Sequence, residues 1–105
     1  MPIFLDVMKE ELERNLYKQN AFEKQLHSLP KGYLSRCVID KKVYIYRKKR
    51  VGNKIVSEYI GVPGDDNVKL AIENRNNYLE LKNSLKSLKE EEIRLRKAIK
   101  NYEKL

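Results

Sequence analysis

From residue 3 to 28 apolar side chains return every three or four positions, with Leu5, Met8, Leu12, Leu16, Phe22 and Leu26 near one stripe. That period predicts an amphipathic helix over 3–28. Pro30 holds Leu29 extended and Gly32 follows, so the helix stops by Ser28. From 33 to 60 the pattern changes to Tyr, Val and Ile in alternation, with turn-like breaks near Asp40-Lys41-Lys42 and at Gly52-Asn53. This predicts a three-stranded antiparallel meander over 33–39, 43–51 and 54–60. Gly52-Asn53 suits a two-residue loop, because both residue types tolerate positive φ. The loop sets the pairs Val51:Lys54, Lys49:Val56, Arg47:Glu58 and Ile45:Ile60, with Arg47 opposite Glu58 as a cross-strand ion pair.

Gly61-Val62-Pro63-Gly64 ends the meander, and Asp65 or Asp66 caps a helix over 66–104 that holds neither Gly nor Pro. With Ala71 as heptad position a, the a positions are Ala71, Tyr78, Leu85, Glu92 and Ile99. The d positions are Asn74, Leu81, Leu88, Leu95 and Tyr102. Glu92 is the one charge in this seam. The helix runs about 55 Å and has to lie against something. Its natural partner is the first helix, antiparallel to it, since one leads into the meander and the other leads out. The expected fold is α+β, one domain over 1–105, with the two helices packed antiparallel as a coiled-coil-like hairpin. The first helix is the shorter, so the far end of the seam around Leu95, Ile99 and Tyr102 is expected to be bare. A homodimer through the C-terminal helix, or a frayed end, answers that exposure.

Alternation across the strands sorts the meander into two faces. Leu34, Val38, Val43, Ile45, Val56 and Ile60 form an apolar face expected to pack on the helices. Arg36, Arg47 and Lys49 fall on it too, reaching round its edge. Tyr33, Ser35, Cys37, Tyr44, Tyr46, Ser57 and Tyr59, with Lys48 and Arg50, form the other.

Charge sharpens this picture. The 105 residues carry 23 Lys and Arg against 15 Asp and Glu, a net charge of +8. Such an excess attracts polyanions. Rings that stack on bases beside cations that neutralise phosphates make a nucleic-acid surface, with single-stranded or structured RNA favoured over DNA. The candidate residues are Tyr33, Tyr44, Tyr46 and Tyr59 with Lys41, Lys42, Lys48, Arg50 and Lys54. A purely structural tyrosine sheet and a protein-binding face are the competing readings. The alternating charges of the last helix, Arg94, Arg96, Lys97, Lys100 and Lys104 among glutamates, read as a solvated exterior.

No catalytic constellation, zinc spacing or phosphate-cradling glycine loop is visible, so an enzyme, a metal and a cofactor are not expected. His27 reads as a surface or capping residue and Asp65-Asp66 as caps. The lone Cys37 favours a reducing compartment. The N-terminus suggests neither a signal peptide nor a membrane span, giving a cytoplasmic, soluble protein without a membrane partner.

The strings LPKGYLSR (29–36) and KKVYIYRKKRVGNKIVSEYIGVPGD (41–65), followed by a long charged helix, resemble a group of short bacterial, archaeal and phage proteins. These share a Leu-Pro-Lys-Gly turn, a Tyr-rich hairpin ending in Tyr-Ile-Gly and a coiled-coil-like helix. The middle is also similar to the small β-region at the start of some insertion-sequence transposases. Cys37 and the Arg47–Arg50 run lie outside what is matched. The resemblance implies a helix, three strands and a helix, a mobile-element setting and no catalytic residues. The mobile-element setting adds a second function class, an anti-defence protein of the anti-CRISPR type, whose partner is a nuclease effector, its guide RNA or another nucleoprotein complex. A coiled-coil structural or dimerisation module, with the long helix as its active feature, is a third.

Overall fold

The computed structural model describes residues 2–104. Helix α1 (Pro2–Ser28) leads to strands β1 (Tyr33–Ile39), β2 (Lys42–Val51) and β3 (Lys54–Gly61), and helix α2 (Asp66–Glu103) follows. Each expected element is present, its ends displaced by one residue at most. The strands form one antiparallel sheet in the order β1-β2-β3. The chain divides into two compact units: Met1–Ser28 with Glu80–Leu105, and Leu29–Leu79.

In the helical unit α1 runs antiparallel to the C-terminal part of α2. Lys9 pairs with Glu103 at 3.3 Å and Glu23 with Lys89 at 3.9 Å, which matches opposite ends. The seam from Leu81 through Leu85, Leu88, Glu92, Leu95 and Ile99 to Tyr102 is turned away from solvent. Two expectations are corrected here. The far end is not bare, because α1 lies along it: Leu95, Ile99 and Tyr102 are half-buried and Lys9 reaches Glu103. The extra length of α2 lies at its other end, in the sheet unit.

The second correction concerns the stripe on α1. Leu16 faces outward, and Asn15 and Gln19 are buried in its place, Asn15 to 2% exposure. Asn15 Nδ2 donates to the Leu88 carbonyl at 2.9 Å. Gln19 Nε2 donates to Asn15 Oδ1 at 2.6 Å and to Glu92 Oε1 at 2.8 Å, while Arg96 Nε donates to Glu92 Oε2 at 2.7 Å. These donors hold the Glu92 carboxyl below the usual carboxylate range, the Gln19 hydrogen bond most, against a smaller upward push from desolvation. A buried amide without a partner costs about 1–3 kcal/mol, so sliding one helix past the other is penalised. This polar layer therefore fixes the pairing of the helices, as a buried Asn fixes register in coiled coils.

In the sheet unit, Asp40 and Lys41 have φ of +50° and +66°, the signs of a type I′ hairpin turn, whose twist matches the flanking strands. In the second turn only Gly52, at +63°, is positive, the pattern of type II′. The register of β2 with β3 runs as expected from Val51:Lys54 to Tyr46:Tyr59 and then shifts, so Ile45 faces Gly61 instead of Ile60. That bulge stands just before the last pair of the ladder. The chain then turns through Val62-Pro63-Gly64-Asp65, with Asp65 N donating to the Val62 carbonyl at 3.1 Å. Asp65 is the cap: its carbonyl accepts from Lys69 N, and its carboxylate accepts from Val62 N.

The first turns of α2 cover the apolar face. Val68 and Ala71 are buried, and Leu34 and Arg47 line one recess with Ala71 and Asn74. Arg75 Nη1 donates to the Gly32 carbonyl at 2.7 Å, tying the start of β1 to the helix. Cover is partial, contrary to expectation: Val38 is 61% exposed and Val56 is exposed as well. The part of α2 within this unit, 66–79, spans about 21 Å, whereas the strand 42–51 spans about 33 Å.

Candidate nucleic-acid interface

By alternation the tyrosine face is opposite the one on which Leu34 and Arg47 meet Ala71 and Asn74 of α2, although Tyr59 on β3 also borders a recess with Asn67 and Leu70. Strand register sets this out in rows. Tyr33 pairs with Lys48, which pairs with Ser57; the next row is Ser35, Tyr46 and Tyr59. Cys37 and Tyr44 follow, then Ile39 and Lys42. At the opposite end Arg50 pairs with Ile55. All these residues share one face by the alternation of the strands.

The rings are not equivalent. Tyr33 and Tyr59 are 48% and 53% exposed, while Tyr44 and Tyr46 are half-buried. The Tyr59 ring packs edge-on against Tyr46, with centroids 5.4 Å apart and planes at 61°, and is tilted against Tyr44 at 6.2 Å. Such edge-to-face contacts suit the ring quadrupole and hold the rings in place. Three of the four predicted tyrosines are thus one cluster, and Tyr33 stands apart on β1.

The predicted cations spread over both faces. Lys42, Lys48 and Arg50 lie on the tyrosine face by register. Lys41 is in the first turn, and Lys54 lies at the second turn on the opposite face. Arg47 is half-buried on the helix-covered face and pairs with Glu58 at 3.2 Å, as its cross-strand position predicts.

A further signal is the distribution of charge along the chain. Between residues 31 and 54 stand nine Lys and Arg and a single acid, Asp40, so this segment alone carries the whole excess of +8. The other residues hold equal numbers of each sign. Among the described residues, the ion pairs of the helical unit join Lys9, Arg14, Lys89 and Arg96 to glutamates, whereas in the segment 31–54 only Arg47 is so paired. Lys31, Arg36 and Lys49 therefore belong to the basic belt with the predicted residues. Lys31 is easily passed over in sequence, because it sits in the turn before β1.

Exposed apolar side chains interrupt the belt. Ile55 and Val51 near the second turn and Ile39 near the first are exposed. Among the described residues, no three His, Cys, Asp or Glu side chains converge as metal ligands. None of the described helices is long and apolar enough to cross a membrane. Compared with family models, with curated proteins and with solved structures, the chain matches none.

Proposed function

We propose that this protein binds nucleic acid, RNA in preference to DNA, through the sheet unit. The observation that supports this best is the segment 31–54, whose cations outnumber its acids nine to one and lie mostly unpaired among the described residues. Charges of one sign held close together without partners raise the self-energy of the fold. A polyanion relieves that repulsion and releases its own counterions on binding. The exposed rings of Tyr33 and Tyr59 beside Lys48 and Arg50 favour a ligand with accessible bases, which is commoner in RNA.

The test is a titration of labelled single-stranded RNA and DNA at several salt concentrations. Binding through several phosphates gives a log–log salt slope of about −0.7 per phosphate for a single strand. Tight binding at low salt with a steep slope, RNA above DNA, is the expected outcome. No binding of either ligand at low salt removes the proposal. Recovery of one stable protein partner from nuclease-treated lysate, with no nucleic-acid affinity, would favour an inhibitor of a nuclease effector instead.

A further inference from the structure

We infer that the ligand is an unpaired strand crossing β3, β2 and β1 on the tyrosine face, with one base stacked on Tyr59, another on Tyr33 and a phosphate at Lys48. This inference rests on the nucleic-acid reading above and names the state of the ligand and the role of each ring.

The geometry points this way through three observations. Tyr59 and Tyr33 are the two tyrosines of the face with about half their surface in solvent. They lie on the two outer strands, one row apart, since Tyr33 pairs with Lys48 and Tyr46 with Tyr59. Two strand spacings and one two-residue step put their Cα atoms roughly 12 Å apart. Between the outer strands, the central strand offers Lys48, which pairs with Tyr33 on one side and the small Ser57 on the other, and Tyr46, which pairs with the small Ser35 and with Tyr59.

A strand within a duplex advances about 3.4 Å per nucleotide with its bases pressed against one another. Rings fixed on a sheet cannot reach a base face inside that stack. They reach faces only when bases are splayed from an unpaired strand. A separation of roughly 12 Å between rings also needs more than one stacked step, so at least one nucleotide bridges them, and Lys48 sits where its phosphate passes.

Tyr44 and Tyr46 take a different role. Both stand on the neighbouring strand β2 and pack against Tyr59, at 6.2 and 5.4 Å. They brace its ring so that its outer face is presented without a search among rotamers, which reduces the ordering cost of binding. They are positioning residues, and Tyr59 is the contact.

The experiment uses the full chain, a short unstructured RNA strand and the blunt duplex made from that strand and its complement. The single strand is expected to bind more tightly than the duplex. Tyr59→Ala and Tyr33→Ala each weaken single-strand binding by about 5- to 150-fold, the range measured for loss of one base–ring stack. Tyr59→Leu and Tyr33→Leu keep the apolar bulk and the fold yet show the same loss. Tyr46→Phe binds as the parent does, because an edge-on ring contact needs no hydroxyl, whereas Tyr46→Ala weakens binding.

Equal affinity for strand and duplex, or Leu variants that bind as the parent does, overturns the inference. Either result, obtained with a steep salt slope, leaves the wider nucleic-acid reading intact. Absence of binding to both ligands overturns the two together.

Discussion

Reversing two charges on the tyrosine face, Lys48→Glu with Arg50→Glu, should lower affinity for single-stranded RNA by about two orders of magnitude at low salt. It should also make the log–log salt slope shallower by roughly the contribution of two phosphates. Both residues lie on the same face of β2, and neither has an acidic partner among the described residues. A charge-matched control separates a local site from a general attraction. Arg94→Glu with Lys97→Glu makes the same change in net charge on the exposed surface of α2. It should cost far less, because the rest of that helix is already balanced in charge. Similar losses from the two double variants would show that overall charge, and no particular face, draws the ligand.

The second large effect falls on stability. Gly32 has a φ of +107°, and a Cβ built there would collide with the Lys48 carbonyl oxygen and meet Lys49 Cβ at 3.1 Å. The obstacle is backbone of the central strand, which cannot swing aside as a side-chain tip would. Its own carbonyl also accepts the Arg75 hydrogen bond that ties β1 to α2. Gly32→Ala combines backbone strain with overpacking and should cost about 3 kcal/mol. That lowers the thermal midpoint of the sheet unit by on the order of 10 °C or more. Gly52→Ala is the contrast. Its φ is also positive, but nothing lies within 4 Å, so only the left-handed conformation is penalised, by about 1 kcal/mol. Circular dichroism melts of the two variants measure the difference, and equal midpoints would contradict the packing described at Gly32.

Much of this architecture could be read from periodicity. Helix and strand periods differ enough that every element and the division of the sheet into two faces follow from the pattern. The α2 seam was also legible, because Leu81, Leu85, Leu88, Leu95 and Ile99 leave no competing stripe. On α1 the apolar pattern misled at one point. Leu16 invited assignment to the core, but Asn15 and Gln19, four apart and in phase with Met8 and Phe22, make the hydrogen bonds that Glu92 requires. A partner for the lone seam charge was the available signal.

Other features depended on three-dimensional lengths. Whether Leu95 and Tyr102 were covered turned on where α1 begins along α2, which no single-helix pattern encodes. Val38 and Val56 looked like core by alternation, yet both are left exposed. The bulge opposite Ile45 moved Ile60 out of register and Gly61 in, a change one residue long. At the candidate site the tyrosines were legible as one face but not as unequal members. Tyr44 and Tyr46 pack against the Tyr59 ring while Tyr33 stands apart on β1, a difference set by cross-strand ring contacts rather than by alternation.

The most direct examination of the basic sheet as the binding surface is to follow backbone amide resonances of the whole chain as single-stranded RNA is added at low salt. Shifts are expected to gather on Tyr33, Tyr44, Lys48, Arg50 and Tyr59, with Arg94, Lys97 and Lys100 unmoved. Shifts centred on the C-terminal turns of α2, or a spectrum indifferent to the RNA, would contradict it.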